Sequence, residues 1–250
     1  NYQPLPKIEL HLHLDCSLSY EVVHAIDPTV TRERYQTDFI APAHCEDLVE
    51  YIKRSSTGYL LMQTPEELRL VTLDVLKQLE ADGVVYAEIR FAPLLHTQKG
   101  LSPAQVVIAI QKALQEGSTR YKVIPRLILC TLRHYTEQES MQTVQLVEQF
   151  RSEGWVVGFD IAGDEAGYPV TAHQKAFHYA HQQGIPCTAH AGEACGAASV
   201  WEVLEHFRPT RIGHGVRSKE DPRLLAHLRS HSIHLEICPS SNLRTNMYTS

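Results

Sequence analysis

The sequence predicts an α/β fold built on a parallel sheet, and three observations point there. Seven short β-rich runs recur, at 8–14, 84–91, 123–131, 156–162, 186–191, 211–215 and 233–239. Most are near-continuous apolar runs, as expected of strands buried on both faces. Amphipathic, helix-length segments separate the runs, and that alternation favours right-handed crossovers between parallel strands.

Taken in order, the first run leads into a long irregular insertion, about 20–62, with Pro28, Pro42 and the apolar Tyr51, Ile52, Tyr59 and Leu60. It reads as a lid-like helical cover over a mouth, or as a plain peripheral insertion. Segment 64–81 is a helix with Thr64 as N-cap, Pro65 at its first position and Gly83 beyond its end. Segment 102–116 repeats this with Ser102, Pro103 and Gly117. Helices over 136–152 and 171–183 stop at Gly154 and Gly184, and 199–207 and 221–230 complete the series. Seven runs are one short of an eight-stranded barrel, and the chain stops soon after the last. The sheet is either open, or it is a barrel whose eighth strand is missing from the chain. Residue 1 is Asn, so Asn1 is not expected to be a native start.

The 250 residues suit one barrel-sized domain, 1–250. Charged residues are 21% and hydrophobic ones 43%, ordinary for a globular chain. The net charge is −6 and no Lys/Arg run reaches three, which argues against nucleic acid or a membrane surface as partner. No apolar stretch of membrane-spanning length and no signal peptide is found. Six cysteines without a C-x-x-C pair do not make a disulfide framework or a Cys-rich zinc site, and the expected setting is reducing and cytoplasmic. Histidine, at fifteen, is the unusual count.

Four motifs carry the chemistry. In Glu9-Leu10-His11-Leu12-His13-Leu14-Asp15, His11 and His13 share one strand face and can share a metal ion; the bland alternative is two buried neutral rings. In Thr188-Ala189-His190-Ala191-Gly192-Glu193, a strand end carries a His and a carboxyl fit for general acid–base work, or else for facing a helix dipole. In Arg211-Ile212-Gly213-His214-Gly215, the glycines imply close backbone packing around an imidazole, or only a tight turn. In Asp160-Ile161-Ala162-Gly163-Asp164-Glu165, three carboxylates surround a Gly whose N–H could meet a ligand; a solvated loop is the default. A barrel brings such strand ends to one mouth. Three neutral imidazoles suit a metal such as zinc, which activates water. His173, His178 and His181 read as surface or packing residues, Cys238 as a buried structural thiol and Glu236 as a strand-end carboxylate.

These motifs, in this order and at these separations, resemble the adenosine deaminase family of the metal-dependent amidohydrolase group (the adenosine/AMP deaminase family). The match runs from Leu5-Pro6-Lys7 to Cys238-Pro239-Ser240-Ser241-Asn242. The resemblance implies a TIM-type (β/α)8 barrel with one Zn2+. It implies His11, His13 and His190 as metal ligands and Glu193 as donor of a proton to the purine ring. It further implies His214 as the group that orients or deprotonates the attacking water. Gly163 would donate its N–H to a ring nitrogen, and His13 and Asp15 would lie near the ribose. The implied reaction is hydrolytic deamination of adenosine and deoxyadenosine to inosine and ammonia, in purine salvage. Alternatives are adenine, a methylated nucleotide or aminodeoxyfutalosine as substrate, or a catalytically inert nucleoside-binding fragment. Two departures stand out. Cys16 replaces the family's usual Gly, and the Asp-Asp pair of the eighth strand does not occur before Ser250. The chain is therefore expected to be a C-terminally truncated piece of a longer protein.

Overall fold

The computed structural model describes residues 5–245; residues 1–4 and 246–250, the two ends of the expected 1–250 domain, lie outside the described residues. The chain forms β1 (Lys7–His13), then three helices, α1 (Tyr20–Ile26), α2 (Arg32–Asp38) and α3 (Leu48–Leu60). Alternation follows: α4 (Pro65–Ala81), β2 (Val84–Phe91), α5 (Pro103–Ser118), β3 (Ile124–Leu132), α6 (Glu137–Phe150) and β4 (Val156–Ala162). The series ends with α7 (Gln174–Gln182), β5 (Thr188–Ala191), α8 (Ala197–Phe207), β6 (Arg211–His214), α9 (Pro222–Ser230), β7 (His234–Glu236) and α10 (Pro239–Arg244).

Local chemistry sets the helix starts. Thr64, Ser102 and Thr136 each accept from the backbone three residues on, while Glu67, Gln105 and Glu139 reach back to the cap N–H. Each is a capping box, which satisfies two orphan donors at once. Pro65 and Pro103 occupy first-turn positions where no N–H is needed. Two strands are shorter than their apolar runs by two residues or more. Pro186 cannot donate to a ladder and precedes β5, and Pro239 opens α10 and so ends the seventh run early. His173 closes a single 3-10 turn rather than lying on α7.

All strand pairs are parallel, in the order β1-β2-β3-β4 and β5-β6-β7. The two sheets meet at one bridge, Phe159 to Cys187, with the Phe159 N–H donating to Pro186 O at 3.0 Å. Ring packing supports this thin junction: Phe177 of α7 lies 4.8 Å from Phe159 and 3.9 Å from Phe207 of α8. The result is an α/β fold of TIM-barrel type with sequential strands and helices outside. β1 and β7 are the edges of the described array. No helix among the described residues is long and apolar enough to cross a membrane.

The insertion at 20–62 holds α1, α2 and α3, and α3 packs on the turn that follows β1. A Cβ added at Gly58 would fall 2.1 Å from the Asp15 carbonyl oxygen, a backbone atom that cannot swing aside. Gly58→Ala is therefore expected to cost about 1–3 kcal/mol and to lift α3 from the Asp15 turn. A denaturant midpoint equal to wild type would refute this.

Candidate active site

β1 does not pair evenly with β2: its register slips between Glu9 and Leu12. Within the slip, the Glu9 carboxylate takes the His11 backbone N–H at 2.8 Å. Such an irregularity re-aims side chains. The His11 and His13 rings end 5.4 Å apart, closer than an even pleat sets alternate residues. His190, near the end of β5, completes the group. The ligand nitrogens of His11, His13 and His190 all lie within 4.8 Å of one another.

The donor set fits a divalent cation. His11 Nδ1 meets Glu236 Oε2 at 2.8 Å, and His190 Nδ1 meets Asp160 Oδ2 at 3.1 Å. Each carboxylate holds a proton on Nδ1 and turns the Nε2 lone pair inward. His13 Nε2 and His190 Nε2 then face each other at 3.1 Å. Burial, with Arg90 and the neighbouring rings, holds His11 and His13 well below the usual histidine range, so both stay neutral. Imidazoles that converge in this way could hold a metal ion. Gly213 permits the approach, since a Cβ there would sit 2.8 Å from His11 Cε1.

Beside this group, Glu193 Oε1 lies 3.4 Å from His214 Nε2. Burial pushes the Glu193 carboxyl up to about 7; His190 opposes the shift and Glu165 adds to it. Burial, helped by His190, presses His214 down to about 3, so its ring is neutral near pH 7. Burial raises the Asp15 carboxyl to about 6. Gly163 holds φ at +103°, a conformation that side chains disfavour, at the mouth end of β4. All seven residues singled out in the sequence, His11, His13, Asp15, Gly163, His190, Glu193 and His214, line one cavity of about 420 Å³. Leu48, Tyr51, Ile52 and Tyr59 of α3 form part of its wall. That volume is ordinary for a small-molecule site.

The sequence matches the family profile described as adenosine deaminase over residues 6–250. The chain belongs to the adenosine deaminase family. An adenosine deaminase of Enterococcus faecalis is 38% identical over 247 residues, 96% of this chain and 73% of that protein. One of Haemophilus ducreyi is 39% identical over 249 residues, 95% of this chain and 72% of that protein. Among solved structures, the Arabidopsis protein ADAL complexed with IMP superposes with a TM-score of 0.85 at 28% identity, covering 99% of this chain and 75% of that one. Hydrolytic deaminase chemistry and an amidohydrolase barrel are thus this chain's inheritance.

Several supporting residues carried no sequence signal of their own. Arg90, fully buried on β2, donates to Asp160 Oδ2 and to Glu236 Oε2, both at 2.7 Å, and to Leu10 O at 2.5 Å. It ties together the two carboxylates that orient His190 and His11. Asn242 lies 3.2 Å from His214 Nδ1. The expectation of a solvated acidic loop after the fourth run is corrected, because Asp160 is fully buried and Glu165 nearly so. Burial alone would raise the Asp160 carboxyl, but His190 and Arg90 hold it well below the usual range. Cys238 is also corrected from core to cavity wall: its Sγ lies within 4.8 Å of the His11 and His214 nitrogens. His173 is a packing residue, bonded to Ser140 Oγ at 2.6 Å and Arg133 O at 3.1 Å.

Proposed function

We propose that this chain deaminates adenosine and deoxyadenosine by hydrolysis, releasing inosine or deoxyinosine and ammonia, with zinc held by His11, His13 and His190. The observation that carries the reading is the convergence of three imidazoles, those of His11, His13 and His190, beside a buried carboxyl that stays protonated to about pH 7. Bound there, the ion supplies Lewis-acid activation of water. The chain's own residues do the rest. Glu193 donates its proton to the ring nitrogen next to the amino-bearing carbon, which makes that carbon electrophilic. The Gly163 N–H orients the opposite side of the purine. His13 and Asp15 stand near the ribose. His214 orients the attacking water and accepts its proton. Its tautomer rests on Asn242. As placed, the amide nitrogen Nδ2 lies 3.2 Å from Nδ1 and Oδ1 has no hydrogen-bond partner. The base role therefore requires the amide turned by about 180°, which brings Oδ1 to the ring, keeps the hydrogen on Nδ1 and turns the Nε2 lone pair to the cavity. α3 closes the mouth as a lid. All six cysteines are free thiols, in keeping with a cytoplasmic setting.

The test is the formation of inosine and ammonia from adenosine with zinc supplied, run beside adenine, AMP and N6-methyl-AMP. Adenosine is expected to turn over with the highest kcat/KM. Chelation is expected to remove at least ~99% of activity and added zinc to restore it. Preference for a nucleotide would overturn the substrate assignment, and full activity after verified metal removal would overturn the metal's role.

A further inference from the structure

The loop after β4 and the loop after β5 meet at a single carboxylate. Glu165 is only 6% exposed. Its Oε1 accepts the Gly192 N–H at 2.7 Å and the Ser199 hydroxyl at 2.5 Å. Its Oε2 accepts the N–H groups of Glu193 at 3.0 Å, Ala194 at 2.6 Å and Cys195 at 3.0 Å. Four consecutive backbone N–H groups therefore turn inward onto one side chain. Such a concave run of amides is an anion nest, and here the anion is part of the chain. Bonds to a charged acceptor are the strong ones, and two carboxylate oxygens offer about four lone-pair directions, so the acceptor is saturated.

The consequence falls on Glu193. Its backbone N–H is one of the four, so the direction of its side chain follows from the nest. Glu165 stands two residues after Gly163, on the loop whose N–H is assigned to the purine. We propose that Glu165 is a positioning residue. It locks the loop that bears the proton donor to the loop that bears Gly163, and so fixes the spacing of the two groups that grip the purine ring. The proposal rests on Glu193 being the proton donor. Glu165 itself is not among the residues that line the cavity. A displacement of about 1 Å between reacting groups can cost ~10²-fold in rate, and the nest is what prevents it.

Two variants test this. Glu165→Gln keeps the shape but turns one acceptor oxygen into a donor, so the five donors can no longer all be met. Ser199→Ala removes one donor from α8 and leaves the loop backbone intact. For Glu165→Gln, kcat on adenosine is expected to fall ~10–100-fold, with KM and zinc affinity within ~3-fold of wild type. For Ser199→Ala, kcat is expected to fall ~2–5-fold at unchanged KM. Hydrogen exchange at the amides of 192–195 is expected to speed up in Glu165→Gln while the β5 amides stay protected. That readout needs no activity. A wild-type enzyme inert on adenosine would sink the substrate assignment and leave the exchange result to judge the clamp. A loss of zinc affinity as large as the loss of kcat would make Glu165 a general structural prop and overturn the proposal. Unchanged exchange at 192–195, or wild-type kcat in both variants, would also overturn it.

Discussion

Glu193→Gln is expected to lower kcat by ~10²–10⁴-fold, the usual worth of a positioned acid or base. Gln keeps the size and can still donate a hydrogen bond, but it cannot transfer a proton. Zinc content and inosine affinity should therefore stay within ~3-fold of wild type. The pH dependence carries the sharper signature. Burial, opposed by His190 and aided by Glu165, sets the Glu193 carboxyl at about 7. The donor must be protonated, so wild-type kcat is expected to be full below that value and to fall as pH rises through it. In Glu193→Gln that alkaline limb disappears, because the titrating group is gone. A pH–rate profile of both proteins decides it. A variant that keeps the limb, or keeps more than a tenth of wild-type kcat, means that another residue delivers the proton.

Arg90→Met is expected to be the most destabilising single change in the barrel interior. The guanidinium is fully buried and lies 2.7 Å from Asp160 and 2.7 Å from Glu236, themselves 0% and 1% exposed at the side chain. Removing one partner of such a group leaves uncompensated buried charge, at a cost of about 3–5 kcal/mol. Both carboxylates also hold histidines proposed to bind the metal, so the damage is expected to extend to metal binding. Loss of an outer-shell partner lowers metal affinity by ~10–100-fold, and here two partners lose their anchor together. Arg90→Lys should recover only part of either loss, since one ammonium cannot span two carboxylates as a planar fork does. Denaturant unfolding and competitive chelator titration measure the two effects. A midpoint and a zinc affinity both close to wild type in Arg90→Met would refute the assignment.

The fold was largely legible because its signals are local. Thr64, Ser102 and Thr136 announce helix starts through side chains that reach only three residues on. The apolar runs announce buried parallel strands. Where the reading slipped, a single proline intervened, as at Pro186 and Pro239. The His-x-His, His-x-x-Glu and Gly-His-Gly motifs are likewise local, and each sits at or next to a strand that ends at the mouth.

What local signals could not convey is which acids serve those motifs. Asp160 looked like part of a solvated loop, yet it is sealed under His190; Cys238 looked like core and lines the cavity. Arg90 joins β2 to β4 and to β7. Glu165 closes a nest almost thirty positions further along the chain.

The sequence by itself determined the parallel α/β architecture, the family and the side chains that reach the cavity, because periodicity, capping and motif spacing act over a few residues. Only the tertiary structure decided the tautomers of His11 and His190, the protonation of Glu193 and the placing of its loop. Those depend on burial and on charges brought together from different strands, and both exist only after the packed fold has shut water out.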